Sequence, residues 1–350
     1  MFMEPANNKQ QTTNTVHGLA ILRMLMCFEV VLCHFWIYDE GSSYILKCFE
    51  WLRPCAVPVF TLMSFFLMGK FFLSPTWGKA EKRFLRLIYP HLAWAIIYWV
   101  IMNVLIFIVG RGDLHGITDL LWQIFTGSSP DLDPVMWYQV VLILLTAAFY
   151  MIFRRFGDRA HYILSFLLVF ATAMQYAGTN YALFCGLRYE LKYPLGRTLE
   201  MLPYAVMGVY IASFNIYASG AKTLRIIGIV LLSLGLLAYV LHLGNFAAPG
   251  FGYSGIGLMC AALILHTVFY RLPLQGVSEK AKRIIEIISR YTLGIYCMHF
   301  IVGRVVAKGF QHFGFEENMF AICICIYVLC YILSMIIARI PDGWGRKIVD

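Results

Sequence analysis

The chain has 350 residues, of which 60% are hydrophobic and 13% are charged, and its formal net charge is +9. Ordinary soluble domains carry about 25% charged residues, so this composition excludes a typical soluble protein and favours an integral membrane protein. The positive charge does not require a nucleic-acid partner, because it follows from where lysine and arginine lie around the apolar segments.

Several apolar segments reach the roughly 18–20 residues that a helix needs to cross a bilayer. They are continuously apolar rather than alternating, which favours helices over a β-barrel. We therefore predict an all-α integral membrane protein with about ten transmembrane helices. The predicted spans are residues 18–38, 55–73, 88–109, 136–153, 161–178, 201–218, 224–243, 253–270, 291–309 and 319–338.

Short polar stretches flank the predicted spans. Residues 1–17 contain ANNKQQTTN and show no cleavage site of small residues after a short apolar core. We therefore expect a cytosolic leader and a retained first span rather than a cleaved signal peptide. Residues 18–340 are then one polytopic domain, and residues 341–350 are a cytosolic tail.

Lysine and arginine are distributed unevenly between the two sides of the predicted bilayer. With the N-terminus in the cytosol, 19 of them fall in cytosolic segments and seven in external segments. Short cytosolic loops are enriched in basic residues, so this bias predicts that both termini are cytosolic. Arg23 and Arg304 remain inside predicted spans.

The ten cysteines lie mostly within predicted spans and show neither a CxxC motif nor a Cys/His spacing typical of a metal site. We interpret them as reduced packing residues and predict no bound metal. A disulfide between Cys48 and Cys55, which share an external segment, is the alternative for these two.

The first predicted span contains three ionisable residues, Arg23, Glu29 and His34. Eleven residues separate Arg23 from His34, which places both on one helix face, about 16 Å apart along the axis. Glu29 lies about 120° away from Arg23 around the helix. Either Arg23 extends to the inner surface and His34 bonds to a neighbouring helix, or the two face a functional channel. The cost of a charge within the bilayer is a reason to consider the second interpretation.

The first cytosolic loop, GKAEKRFLRLIYPH, leads into the third span and contains Lys79, Lys82, Arg83 and Arg86. Arg83 and Arg86 are three residues apart and would point the same way on a helical turn. Paired guanidinium groups suit phosphate oxygens, which favours a phosphate-binding site. The alternative is a loop that sets the topology and touches anionic lipid.

Further stretches occur in a characteristic order: VPVFTLMSFFL in the second span, MWYQVVLILL at the fourth, PYAVMGVYIA in the sixth and SRYTLGIYCMHFIV in the ninth. With the Arg/His pair of the first span and the RxxR before the third, their order resembles the acyltransferase 3 family of integral membrane O-acyltransferases. TLGIYCMH is similar to the family's SLGIYLxH pattern, and PYAVMGVYIA to its FxxGxxLA span. The resemblance covers essentially the whole chain.

Three positions depart from that family pattern. Ser64-Phe65 stands where the family usually has Ser-Gly, and Val135-Met136 replaces its usual His before the tryptophan of the fourth span. Glu29 stands where the family tends to be aliphatic. No SGNH-type hydrolase sequence follows the last span, so we expect the stand-alone form of the family.

The resemblance implies a multi-pass enzyme of the bacterial plasma (inner) membrane. It would move an acyl group, expected to be acetyl, from cytosolic acyl-coenzyme A to a hydroxyl of an extracytoplasmic or lipid-linked glycan. Acyl-coenzyme A would be a co-substrate, with no permanently bound cofactor. The expected partners are this donor, the glycan or lipid-linked acceptor and membrane lipids, with no nucleic acid; a homodimer is among the open oligomeric states.

Residue roles follow from the resemblance and from the residue types. His34, Arg23 and His299 are predicted to be catalytic, with His34 as the base or as an acylated nucleophile. His299 would orient the acceptor or, with Tyr296, stabilise an oxyanion. Acyl-coenzyme A is predicted to bind Arg83, Arg86, Lys82 and Arg23. The candidates for the acceptor site or channel are Tyr296, Ser64, Trp137, Tyr138 and Glu29.

Several of these residues have a simpler alternative role. His299 could form an interhelical hydrogen bond, and Ser64 could be a small residue at a helix contact. Trp137 and Tyr138 could belong to an interfacial aromatic belt rather than stack on a sugar.

Two other classes of membrane protein would share many spans and buried charges. A transporter or flippase of lipid-linked glycans often shows internal repeats and interrupted spans in matching halves, and the sequence shows no such pairing. A non-catalytic polysaccharide-assembly protein would keep the fold without needing the Arg23–His34 face.

Overall fold

The computed structural model describes residues 6–35, 52–110, 112–127, 135–176, 184, 186–187, 189–214, 256–314 and 319–350. These residues form helices joined by turns and contain no β-strand, which confirms the all-α fold class. The helices of the described ranges are α1 (Ala6–Phe35), α2 (Ala56–Leu73), α3 (Trp77–Val109), α4 (Ile117–Thr126), α5 (Trp137–Phe156), α6 (Ala160–Tyr176), α7 (Tyr189–Ser213), α8 (Ile256–Tyr270), α9 (Glu279–Arg290), α10 (Thr292–His312), α11 (Met319–Ile337) and α12 (Trp344–Val349).

Six stretches of the described helices are long and apolar enough to cross a membrane. They are His17–Phe35, Arg53–Leu73, Trp77–Ile108, Trp137–Met174, Thr292–His312 and Met319–Ile337. They coincide with seven predicted spans, because Trp137–Met174 covers both the fourth and the fifth. The eighth corresponds to a shorter apolar helix, Gly257–Tyr270. A multi-pass membrane protein is therefore supported, whereas the count of ten and the cytosolic termini stay predictions.

Two predicted spans need separate mention. The sixth lies within α7, which begins earlier, at Tyr189, and contains Pro194 and Pro203. The seventh, residues 224–243, lies outside the described residues, as does Cys48 of the alternative disulfide.

The basic stretch before the third span is helical rather than a loop. Helix α3 runs unbroken from Trp77 to Val109 and includes Pro90. Lysine, arginine, glutamate and alanine are good helix formers, so the helix begins before the apolar run begins. The basic side chains of residues 79–86 therefore project from the first turns of the same helix that carries the apolar segment.

The chain divides into two compact units. The first comprises Met1–Met63, Gly220–Arg339 and Val349–Asp350, and the second comprises Ser64–Ser219 and Ile340–Ile348. The division falls inside α2.

Helix α1 is central to the first unit, where it contacts α8, α9, α10 and α11. Side-chain to backbone hydrogen bonds secure it: Cys27 Sγ donates to the Thr292 carbonyl at 3.5 Å, and Tyr327 Oη donates to the Met24 carbonyl at 3.4 Å. Gly18 lies against the backbone of Phe269, so that α1 and α8 approach closely.

An aromatic core joins α2 and α5 in the second unit. Phe65 is fully buried, with its ring centroid 5.0 Å from that of Phe149 and 6.1 Å from that of Phe72. The phenylalanine that stands where the resembled family usually has glycine therefore fills part of this core.

Candidate active site

His34 lies on the last turn of α1 and presents one nitrogen as a base. Its Nδ1 is 2.8 Å from the carbonyl oxygen of Val30, one turn earlier on the same helix. A carbonyl oxygen only accepts hydrogen bonds, so Nδ1 must carry the hydrogen of the neutral imidazole. The hydrogen-bond pattern thus selects the tautomer in which Nε2 holds the lone pair, on a residue that is exposed.

His299 repeats this arrangement in a fully buried position within α10. Its Nδ1 is 2.5 Å from the carbonyl oxygen of Tyr296, so this nitrogen also donates to its own helix. Its Nε2 is buried and has no hydrogen-bond partner among the described residues. The described contacts therefore show a bond within α10 rather than the interhelical hydrogen bond that was the alternative for His299.

The two imidazole rings form what we call the histidine pair. Their centroids are 4.9 Å apart and their planes are inclined by 62°. Both Nδ1 atoms donate to backbone carbonyls, so both Nε2 atoms accept. Two such acceptors attract each other only through a shared proton. Each ring therefore presents an acceptor nitrogen rather than a second donor.

Aromatic side chains hold the histidine pair in place. The rings of Phe35 and Phe300 each lie near it, with centroids 6.4 Å from His299 and His34 respectively. Gly303 lies directly beneath the Phe35 ring, and a Cβ atom at this position would collide with it. The end of α1 and the middle of α10 can pack this closely because residue 303 has no side chain.

Arg53 binds the end of α1 next to the histidine pair. Its Nη2 donates to the carbonyl oxygen of Cys33 at 2.7 Å. The last four carbonyls of a helix lack partners within the helix, and a cation there also offsets the negative end of the helix dipole. Arg53 therefore stabilises the turn that carries His34.

Glu29 lies within electrostatic range of Arg53. The residue is fully buried, and neither carboxylate oxygen has a hydrogen-bond partner among the described residues. The Arg53 guanidinium interacts electrostatically with both Glu29 and His34. The acceptor-site role predicted for Glu29 stays untested.

Arg23 lies on the same unbroken helix as His34, which is what the predicted common face requires. It is half-buried, and it interacts electrostatically with Cys27 one turn later. Tyr296 is buried, and its ring centroid is 5.9 Å from that of His299.

In the second unit, the basic turns of α3 are anchored to α2. Arg83 Nη2 donates to Ser64 Oγ at 2.6 Å, and Arg83 is half-buried, whereas Lys82 and Arg86 are exposed. The Ser64 hydroxyl therefore orients a guanidinium, a role beyond the helix packing considered from the sequence. Arg83 and Arg86 share a side of α3 at their three-residue spacing.

Trp137 and Tyr138, the predicted acceptor candidates, are buried in the second unit. The guanidinium of Arg197 lies 5.2 Å from the Trp137 ring centroid and pairs with Glu200 at 2.7 Å. One face of the indole is therefore covered by a cation. Stacking of a sugar on the opposite face of the Trp137 indole stays a prediction.

The family comparison decides the class of the protein. A family model described as an acyltransferase domain matches residues 16–339. The chain belongs to the acyltransferase 3 family. No curated protein and no solved structure matches it.

The protein is therefore a membrane acyltransferase, and the transporter and assembly interpretations are not favoured. The acyltransferase 3 match includes both helices of the histidine pair and the basic turns of α3.

Of the residues highlighted by the sequence, the structure brings together His34, His299 and Tyr296, and separately Arg83 and Ser64. Sequence reasoning missed Arg53, which it counted only as an external charge. An arginine directly before Pro54 at the start of a span was the available signal.

Proposed function

We propose that this membrane acyltransferase moves an acyl group, acetyl being expected, from acyl-coenzyme A to a glycan hydroxyl, with His34 as the general base. The observation that carries the proposal is the fixed tautomer of His34. Its Nδ1–H is bonded to the Val30 carbonyl, which leaves Nε2 as a base beside His299.

The proposed acyl-transfer step needs only imidazole side chains from the protein. Nε2 of His34 takes the hydroxyl proton while the oxygen attacks the thioester carbonyl. A C–O bond forms, the C–S bond breaks, and the coenzyme A thiolate leaves and receives the proton from His34. His299 would share the proton on the pair while the reaction proceeds. Prior acylation of His34 is the alternative route, and single-turnover kinetics distinguish the two.

For the donor, we retain the predicted binding of phosphates by Arg83, Arg86 and Lys82. The Ser64 bond supports this role, because it holds one guanidinium fork in a fixed orientation beside two exposed cations. Charge-assisted hydrogen bonds to phosphate are strong when such donors are pre-positioned.

For the acceptor and the location, the support is the family resemblance. We propose an extracytoplasmic or lipid-linked glycan, modified at a bacterial plasma membrane. Mass analysis of surface glycans from cells with and without the gene tests this part, and an unchanged acylation pattern would contradict it.

The decisive experiment measures transfer of labelled acetyl from acetyl-coenzyme A by the purified full-length protein in lipid nanodiscs. His34→Ala should abolish transfer. His312→Ala should not, because His312 is an exposed histidine at the end of the helix that carries His299. A wild-type rate in the His34 variant would refute the catalytic assignment.

A further inference from the structure

The C-terminal helix α12 contacts α3 within the second unit. Trp94 Nε1 on α3 donates a hydrogen bond to the carbonyl oxygen of Ile348 at 2.9 Å. The Trp344 ring meets the Tyr89 ring edge to face, with centroids 6.2 Å apart and planes inclined by 81°. All four residues belong to the second unit. A hydrogen bond and an aromatic pair therefore fix this short helix on α3.

Lys347 adds a cation to the same contact. Its Nζ lies 5.0 Å from the Trp344 ring centroid and 5.6 Å from that of Tyr89. On α3, Arg86 is three residues before Tyr89, so these two side chains share a side of the helix. We call Arg86, Tyr89, Trp344 and Lys347 the aromatic–basic cluster. It joins the last helix of the chain to an arginine proposed for phosphate binding.

The aromatic–basic cluster is accessible from outside the protein. Trp344 is 56% exposed and Tyr89 is 37% exposed, and Arg86 and Lys347 are exposed as well. Accessible aromatic rings offer stacking surfaces to a planar base, and neighbouring cations bind the phosphates attached to it. The residue types of the cluster therefore suit a nucleotide.

We propose that α12 completes the donor site and that the aromatic–basic cluster binds the adenine nucleotide end of acyl-coenzyme A. This inference deepens the proposed function and rests on it. The adenine stacks on Trp344, while Arg86 and Lys347 bind phosphates of the same nucleotide. Adenosine in coenzyme A is phosphorylated on two ribose oxygens, so one base and its anions reach the cluster together.

An anchor at the membrane surface is the other role that such residues can have. Tryptophan, tyrosine and lysine are common where a helix leaves the bilayer. The nucleotide is favoured because the cluster shares a side of α3 with Arg86 and continues the basic turns that carry Lys82 and Arg83. The two roles differ in one measurable respect: a ligand that binds the folded protein stabilises it, and an anchor acts without a ligand.

The test measures binding of adenosine 3′,5′-bisphosphate to the full-length protein in nanodiscs by isothermal titration. This probe carries the adenine and two phosphates of coenzyme A without the pantetheine arm. Trp344→Leu should weaken its binding about tenfold, because the stacking surface is lost. Trp344→Phe should keep most of the affinity, because an aromatic face remains. The matched control is Trp77→Leu, which removes an exposed tryptophan about 18 Å from Tyr89 along α3 and should bind the probe as the parent does.

Lys347 is tested separately from the stacking surface. Lys347→Met should weaken binding of the bisphosphate several-fold, because a phosphate contact is lost. Lys347→Arg should restore it, because the charge remains. If Trp344→Leu does not fold, these two variants and Trp344→Phe still decide the question, and parent-like binding by Lys347→Met then overturns the inference.

The remaining outcomes separate this inference from its alternatives. Parent-like binding by Trp344→Leu would overturn it, as would a parent protein that does not bind the bisphosphate. A lower unfolding temperature of Trp344→Leu with unchanged binding would identify a membrane anchor instead. A parent that binds the probe through Trp344 but transfers no acetyl group would refute the proposed function and leave the nucleotide site. A parent that transfers acetyl while Trp344→Leu binds normally would refute the nucleotide site alone.

Discussion

The imidazole rings of His34 and His299 face each other across α1 and α10 at 4.9 Å, each with its Nδ1 bonded to a carbonyl of its own helix. In the sequence these residues are 265 positions apart. The fold thus brings together two histidines that each had a simple alternative role in the sequence. It also makes separate predictions for the two members, because only His299 is fully buried.

Replacement of His299 by phenylalanine should separate stability from activity. A buried acceptor without a partner costs about 1–3 kcal/mol, and an apolar ring of similar shape removes that cost. The unfolding temperature of His299→Phe should therefore equal or exceed that of the parent, while acetyl transfer falls at least about tenfold because a proton-transfer group is lost. A parent-like transfer rate would show that His34 needs no second imidazole.

Substitution of Gly303 should disturb the packing of α1 on α10. An added methyl group at this position meets the Phe35 ring, and overpacking typically costs about 1–3 kcal/mol. Gly303→Ala should lower both the unfolding temperature and the transfer rate. Gly309→Ala is the matched control, because it lies on the same helix with no atom within 4 Å of the added carbon. Equal behaviour of the two variants would contradict the proposed packing. Phe35→Ala in the Gly303→Ala background should recover part of the lost stability.

Loss of the Ser64 hydroxyl should weaken binding of the donor. Without its partner at 2.6 Å, Arg83 loses a hydrogen bond to a charged group, a change of about 1.5–3 kcal/mol. Isothermal titration with coenzyme A should show about tenfold or greater weakening for Ser64→Ala. Ser74→Ala, an exposed serine just after α2, should bind coenzyme A as the parent does.

The two arginines of α3 provide the companion test of donor binding. Replacing Arg83 and Arg86 together with alanine should weaken coenzyme A binding further, because charge-assisted phosphate contacts are lost. Lysine at both positions should restore only part of the affinity, since the fork geometry goes. If the double alanine variant binds coenzyme A like the parent, the basic residues at the start of α3 only set the membrane topology.

The proposed sidedness can be measured in sealed vesicles. With inside-out vesicles, acetyl-coenzyme A added outside should label glycan in the lumen. Right-side-out vesicles should show no labelling unless the donor is loaded internally. Equal labelling of both kinds of verified vesicle would overturn a route from a cytosolic donor to an external acceptor.

Local sequence patterns predicted those features that depend on one helix. The apolar length of the first span and the eleven-residue spacing of Arg23 and His34 depend only on helix geometry, and α1 is one continuous helix. Helix α3 begins at Trp77, about a dozen residues before residue 88, where the third span was predicted to start. Charges end an apolar run, but lysine, arginine and glutamate favour helix, so an apolar boundary does not mark a helix end.

Features that depend on packing between distant segments could not be predicted from the sequence. Nothing in the local sequence shows that His34 meets His299, or that Arg53 binds the Cys33 carbonyl. Ser64 could be recognised as a small residue in a span, but its hydrogen bond depends on where the first turns of α3 come to lie. Each of these contacts forms only when distant segments pack together in the folded chain.

The fixed tautomers of the histidine pair also define what a small-molecule inhibitor of this site must look like. The exposed His34 offers the lone pair of its Nε2, so a ligand that offers only acceptors, such as an ester or ether, gains no hydrogen bond from the neutral ring. A hydroxyl, amide N–H or ammonium group does. Because backbone carbonyls hold both Nδ1 atoms, neither ring can change tautomer without losing a hydrogen bond to its own helix. The site therefore selects hydrogen-bond donors, and a donor-bearing mimic of the acceptor hydroxyl is the scaffold to begin from.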